Sequence, residues 1–236
     1  MKQKPFTITE KEKELTKSLL KKITETEKEK FSIADLDTVY SFLNKKEIKF
    51  LKKLLTIDPH DYGIKGEYLG IQDVPKDLVE IKGQRYETET EEKGYHEIGE
   101  RYLPSKVYKA YEKMNRAMFN DIGKKLLVRS GYRSPAYQLF LLVWYLNMYE
   151  FDIGKTLERV AMPGYSEHCV ADNVAIDFIT EDGVPEEEDD RCFEDTKEYK
   201  WLLENAEKFG FKESYPKDNE FGFMYEPWHW RYVSSG

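Results

Sequence analysis

Two of the four histidines sit in surroundings loaded with reactive groups: His168 in P-G-Y-S-E-H-C-V-A-D-N-V-A-I-D and His229 in E-P-W-H-W-R-Y. A neutral imidazole is a favoured zinc ligand, and a catalytic zinc ion typically takes three protein ligands, leaving its fourth position to water or substrate. Two histidines and one carboxylate meet that count. Asp177 is the carboxylate of choice, because it lies within the apolar run Val174-Ala175-Ile176-Asp177-Phe178, where an uncompensated charge is costly to bury. Such an aspartate can equally be satisfied by an arginine or by capping a turn, and either histidine taken alone can be an ordinary structural side chain. Glu226 stands three residues before His229, and the intervening Pro227 and Trp228 favour an extended or turn path over a helix. On that path its carboxylate can approach the open side of a metal and take a proton from bound water. The helical H-E-x-x-H pattern is absent from the chain.

The elements that must position these groups can be read from capping and periodicity. Thr9 to Glu12 fits a capping box, and Leu15, Leu19, Leu20 and Ile23 follow as one apolar stripe. A second helical run opens at Ser32 with Asp35 and carries Leu36, Val39, Tyr40 and Leu43; a third holds Ile48, Phe50, Leu51, Leu54 and Leu55. Composition changes after Asp58-Pro59 and Tyr62-Gly63. The expected organisation is therefore an N-terminal helical extension over 1–72, serving packing or spacing, and a catalytic domain over 73–236. Within the latter, Ser105 starts a helix, Leu126-Leu127-Val128 is a short buried strand, and Ser134-Pro135 caps an apolar helix from Ala136 to Tyr149. Val174 to Ile179 reads as an alternating strand, Trp201 to Phe209 as a helix closed by Gly210, and Phe223 to Tyr225 and Trp230 to Val233 as short strands. Strands and helices do not alternate strictly, so the fold class is α+β with a small, largely antiparallel sheet flanked by helices. The run Glu186 to Asp190 reads as a solvated connection.

Four blocks then carry a resemblance, in order along the chain: V-R-S-G-Y-R-S-P-A-Y-Q (128–138), P-G-Y-S-E-H (163–168), A-I-D (175–177) and E-P-W-H-W-R-Y (226–232). Together they resemble the VanY-like zinc D-alanyl-D-alanine carboxypeptidases, whose fold is related to the hedgehog type. The resemblance covers about two thirds of the chain from near Asp73, leaving the N-terminal helices outside it. It implies one zinc ion per chain held by His168, Asp177 and His229, with Glu226 as general base and acid. It also implies that Arg133 contacts substrate and stabilises the oxyanion, a role suited to a permanently charged group with several fixed donors. Gln138 and Ser166 would line the substrate site, although each could instead cap its local turn. The implied substrates are peptidoglycan stem peptides or muropeptides. Removal of a terminal D-alanine is the leading expectation, with stem-peptide endopeptidase or dipeptidase action and a non-catalytic zinc-containing peptidoglycan-binding module as alternatives. One departure stands out: eight residues separate His168 from Asp177, two more than the family pattern. That places Asn173, a residue tolerant of left-handed backbone, at the usual glycine position, and makes Asp172 a competing ligand if the insertion is not absorbed as a wider loop.

Composition excludes other classes. Mixed charges with a formal net charge of -8 provide no basic face for nucleic acid. No window is apolar enough for a membrane span. Two cysteines, Cys169 and Cys192, allow at most one disulfide and no four-thiolate metal site. The implied substrate points to an exported protein on the periplasmic or cell-wall side, although the first residues lack the apolar stretch of a signal; a cytosolic role in recycling wall fragments and a phage lysin are the alternatives.

Overall fold

The computed structural model describes residues 6–25, 32–88, 94–184 and 192–233. They fall into two compact units that interleave along the chain. One comprises residues 1–74, 134–169 and 220–224, the other 75–133, 170–219 and 225–236.

The first unit is helical. Helix α1 (Glu10–Glu25) starts at the expected capping box: the Thr9 amide donates to Glu12 Oε2 at 2.8 Å and the Glu12 amide to Thr9 Oγ1 at 3.3 Å. The next helix begins later than Ser32, because Asp35 itself is the cap and accepts from the Thr38 amide; α2 is Leu36–Ser41. Asn44 and Glu47 form a second capping box for α3 (Lys45–Leu54). The Glu47 carboxylate is buried and held by Lys22 Nζ at 2.7 and 2.9 Å, tying α1 to α3. Leu19, Ile23, Phe50, Leu51 and Leu54 meet Leu139, Leu142, Val143 and Leu146 of α5 (Pro135–Met148) and Leu157 of α6 (Ile153–Arg159) in one apolar cluster. Lysine-rich helices that would be marginal alone are thus stabilised by burying one face.

In the second unit, β1 (Leu78–Ile81) pairs with β4 (Arg101–Pro104), and β2 (Gln84–Thr88) with β3 (Gly94–Ile98). The main sheet contains β5 (Leu126–Ser130), β6 (Ala175–Thr180), β7 (Phe211–Glu213) and β8 (His229–Tyr232) in the order β5-β6-β8-β7, every pair antiparallel. Helix α4 (Ser105–Ile122) covers one face, where Tyr111 stacks on Phe178 at 6.1 Å and Phe178 meets Phe211 at 6.3 Å. The α+β class with a small antiparallel sheet and an N-terminal helical segment is as expected.

Three local expectations are corrected. All six residues of β6 are buried, so this strand alternates between two covered faces rather than between core and water. Helix α7 (Lys197–Asn205) starts earlier than Trp201, because the Thr196 hydroxyl accepts from the Tyr199 amide; a 3-10 turn, Ala206–Phe209, then runs to Gly210 at φ +82°. Phe223 to Tyr225 is not a strand. Gly222 takes φ +82° and the following amides have scattered partners, Met224 N–H to the Glu158 carbonyl and Glu226 N–H to the Tyr215 carbonyl, so no ladder forms. Cys169 and Cys192 are both free thiols. The acidic run Glu186 to Asp190 lies outside the described residues. Among the described residues, no helix is long and apolar enough to cross a membrane.

Glu198 on α7 is 3% exposed, its Oε1 has no hydrogen-bond partner among the described residues, and burial pushes its carboxyl above the ordinary range despite its own amide and Lys124. Ionising this group in the folded state therefore carries a cost, which is present at high pH and is lost as pH falls through the raised folded pKa toward the ordinary carboxylate range. Glu198→Gln is therefore expected to raise the thermal midpoint at pH 7, with an advantage over wild type that shrinks on acidification. Equal midpoints at both pH values would contradict this.

Candidate metal centre

The site grows out of strand register. Asp177 on β6 is paired with His229 on β8, so their side chains leave the same face of the sheet, opposite to Ile176, Phe178 and Trp230. On the other side of β6 the register shifts: Val128 pairs with Phe178, but Ser130 pairs with Asp177. This bulge at Arg129 brings Ser130 into one row with Asp177 and His229 across three strands, a re-aiming that bulges commonly perform.

The turn after β5 supplies the cation. Gly131 lies so close to β4 that a Cβ there would stand 2.5 Å from the Tyr102 carbonyl oxygen and 2.9 Å from Leu103 Cδ2, and the Tyr132 amide donates to that same carbonyl at 2.7 Å. Held this way, Arg133 donates from Nε to Ser130 Oγ at 2.8 Å and from Nη2 to Asp177 Oδ2 at 2.8 Å. Arg133 is thus placed on the metal-ligand candidate itself, the arginine pairing that the buried aspartate alone had left open.

The other Asp177 oxygen, Oδ1, lies 2.9 Å from His229 Nδ1. The Tyr215 ring packs on the His229 imidazole at 4.8 Å between centroids. Glu226 is carried by a turn in which the His229 amide donates to the Glu226 carbonyl at 3.0 Å, and Glu226 Oε2 is 3.8 Å from His229 Nδ1. The predicted extended or turn path through Pro227 and Trp228 is the one observed, and it keeps the carboxylate beside the imidazole.

His168, Asp177 and His229 are all buried, and each offers a ligand atom within 4.8 Å of the others. Three ligands on a tetrahedral zinc ion with bonds near 2.1 Å stand about 3.4 Å apart. The Asp177–His229 spacing is already close to that, and Arg133 occupies only the far carboxylate oxygen, so the donor set fits a zinc ion. The longer path from His168 to Asp177 passes through two successive 3-10 turns, Glu167–Cys169 and Ala171–Asn173. Asn173 closes the second turn without adopting a left-handed backbone, which among non-glycines is confined to Glu150, Phe151 and Asp218 in the described residues. Asp172 is exposed and outside the cluster.

Gln138 and Ser166 are buried. Gln138 Nε2 donates to the Ala161 carbonyl at 2.8 Å and its Oε1 has no partner among the described residues, while the Ser166 carbonyl accepts from the Cys169 amide. Around Glu226, residues that sequence reasoning passed over form a network. Tyr225 donates to Glu194 Oε2 at 2.7 Å, and Tyr199 donates to Glu213 Oε1 at 2.9 Å. Burial first, then its neighbours Tyr199 and Glu194, hold the Tyr225 phenol well above its ordinary value, keeping it a donor. The Lys217 ammonium, followed by Tyr225, draws the Glu194 carboxyl below the usual range. Only the adjacency of Tyr225 to Glu226 could have flagged this network.

Deleting the central carboxylate leaves Arg133 and His229 without the acceptor they share. Asp177→Ala is expected to lower the urea-unfolding stability of metal-free protein by roughly 3 kcal/mol. An unchanged midpoint would mean that the pair contributes no net stability.

Comparison with known proteins places these residues in a family. A model of the VanY family, D-alanyl-D-alanine carboxypeptidase, matches residues 100–235. The bifunctional D-Ala-D-Ala dipeptidase and D-Ala-D-Ala carboxypeptidase VanXYC of Enterococcus gallinarum is 33% identical over 138 residues, covering 56% of this chain and 67% of that protein. YodJ of Bacillus subtilis (strain 168) is 31% identical over 184 residues, covering 77% of this chain and 60% of that protein. Among solved structures, the LdcB LD-carboxypeptidase aligns with a TM-score of 0.54 and 31% identity over 72% of this chain and 75% of that one.

Proposed function

The chain belongs to the VanY family of D-alanyl-D-alanine carboxypeptidases, and from that premise we propose that it is a zinc-dependent peptidase releasing the terminal D-alanine from peptidoglycan stem peptides. The observation that carries this reading is the row Ser130–Asp177–His229, whose aspartate and histidine are buried and are completed to a two-histidine, one-carboxylate donor set by His168. His168, Asp177 and His229 would hold one zinc ion, which when bound polarises a carbonyl and acidifies its water to a pKa of about 7.

The chain's own groups then divide the work. Glu226 is the proton carrier: its carboxylate takes the proton of the attacking water and returns it to the leaving amine, a contribution of about 10²–10⁴ in rate for a well-placed group. Arg133 Nε and Nη2 are committed to Ser130 and Asp177, while Nη1 makes no hydrogen bond among the described residues. We assign Nη1 to the scissile carbonyl oxygen, where a fixed donor strengthens as negative charge develops. The same guanidinium steadies Asp177, so Arg133 serves both ligand and substrate. Gln138 and Ser166 are assigned to the substrate site, the unpartnered Gln138 Oε1 accepting from a peptide N–H. The substrate class implies a protein acting on the periplasmic or cell-wall side.

A second reading follows from the likeness to the LdcB LD-carboxypeptidase: cleavage of the L,D bond in a tetrapeptide instead of the D,D bond in a pentapeptide. Both use the same machinery and differ in the stereochemistry of the residue preceding the scissile bond.

Elemental analysis together with D-alanine release tests these readings. One zinc per chain is expected in wild type, lost in His229→Ala and kept in Glu226→Ala, whose turnover should fall by about 10²-fold or more. Release from a pentapeptide ending in D-Ala-D-Ala supports the D,D reading, and release only from an L,D-terminated tetrapeptide the second. Stoichiometric zinc with release from neither would exclude both.

A further inference from the structure

Glu226 needs a fixed position to shuttle a proton, yet it is reached through the segment 214–228 between β7 and β8, which forms no strand or helix and leaves Lys217, Asp218, Glu220, Phe221 and Met224 exposed. Backbone bonds hold Glu226 on both sides, its amide to the Tyr215 carbonyl at 3.2 Å and its carbonyl to the His229 amide at 3.0 Å. The first of these belongs to the Tyr225–Glu226 peptide, and it is a single long bond on that side. A side chain adds a second tie there. The Tyr225 hydroxyl donates to Glu194 Oε2 at 2.7 Å and lies 3.4 Å from the Tyr199 hydroxyl. Lys217 Nζ contacts Glu194 Oε1 at 3.0 Å and Oε2 at 2.9 Å and stands 5.3 Å from the centre of the Tyr225 ring. One phenol is thus gripped by Glu194 from the 3-10 turn Phe193–Asp195, by Tyr199 from α7, and by Lys217 from its own segment.

Resting on the function proposed above, we infer that Tyr225 is a positioning residue: anchored by Glu194, it fixes the backbone from which Glu226 reaches the water and the leaving amine. The physical case is that proton transfer tolerates little misplacement, a displacement of about 1 Å costing up to 10²-fold in rate. An exposed segment without regular structure does not supply such precision unless side chains tie it to rigid elements. Glu194 and Tyr199 supply those ties from outside the segment. The clamp is charge-assisted and therefore stronger than a neutral hydrogen bond.

The test is Tyr225→Phe, which removes one oxygen and leaves the ring. A fall in kcat of about 10-fold or more is expected with KM within about threefold, because only transition-state placement is lost. Zinc content should be unchanged, and hydrogen exchange at amides 226–229 should accelerate. Glu194→Ala should reproduce this, whereas Glu194→Gln, which still accepts from the phenol, should restore most of kcat. In a Glu226→Ala background, adding Tyr225→Phe should cost nothing further. Wild-type kcat in Tyr225→Phe, or an equal loss with Glu226 already removed, would overturn the inference. If wild type cleaves no stem peptide, only the functional reading falls; the clamp is then decided by exchange alone, and unaltered protection of amides 226–229 in Tyr225→Phe would overturn it.

Discussion

A carboxylate in the middle of a strand buried on both faces is the constraint on which the site depends. Asp177 sits in β6, where every residue is buried, and an ionised group there must be matched by positive charge and hydrogen bonds. Arg133 takes one oxygen and His229 lies against the other. The geometry that satisfies the aspartate also sets one of its oxygens against the His229 imidazole. Burying that carboxylate is costly, and Arg133 and His229 are what the fold sets against the cost, which is why a charge inside an apolar run was an informative residue in the chain.

The neighbouring structure can be understood as support for that row. The bulge at Arg129 turns Ser130 toward Asp177, and Gly131 permits the close approach to β4 that sets the turn leading to Arg133. Tyr215 covers the His229 ring, and the short turn before β8 places Glu226 near the same imidazole. Each contribution is local, a hydrogen bond or a ring contact.

Helix α5, which follows the Y-R-S-P block directly, shares its apolar cluster with α1 and α3. The lysine- and glutamate-rich helices at the N-terminus therefore contribute core to a unit that includes residues within the family match. Their amphipathic stripes predicted that they would pack. The partner surface could not be read from them, because apolar periodicity states which face is buried and says nothing of what buries it.

Short-range rules made much of this protein legible from its sequence. Capping boxes at Thr9, the Ser134-Pro135 start of α5 and the glycine at 210 act over a few residues and leave direct marks, and four spaced blocks were enough to name the family and its three ligand candidates. Tertiary structure decided the rest. Only strand register shows that Ser130, Asp177 and His229 form one row; only the folded turn shows that Arg133 spends two of its donors on Ser130 and Asp177; and the Tyr225–Glu194 clamp joins residues 31 apart that no motif connects. The longer path between His168 and Asp177 was visible as an insertion, but its resolution into two 3-10 turns, with Asp172 left in solvent, was not. The physical reason is common to the first three: hydrogen bonds and ion pairs between distant segments depend on where the backbone places them, and no local periodicity encodes that distance.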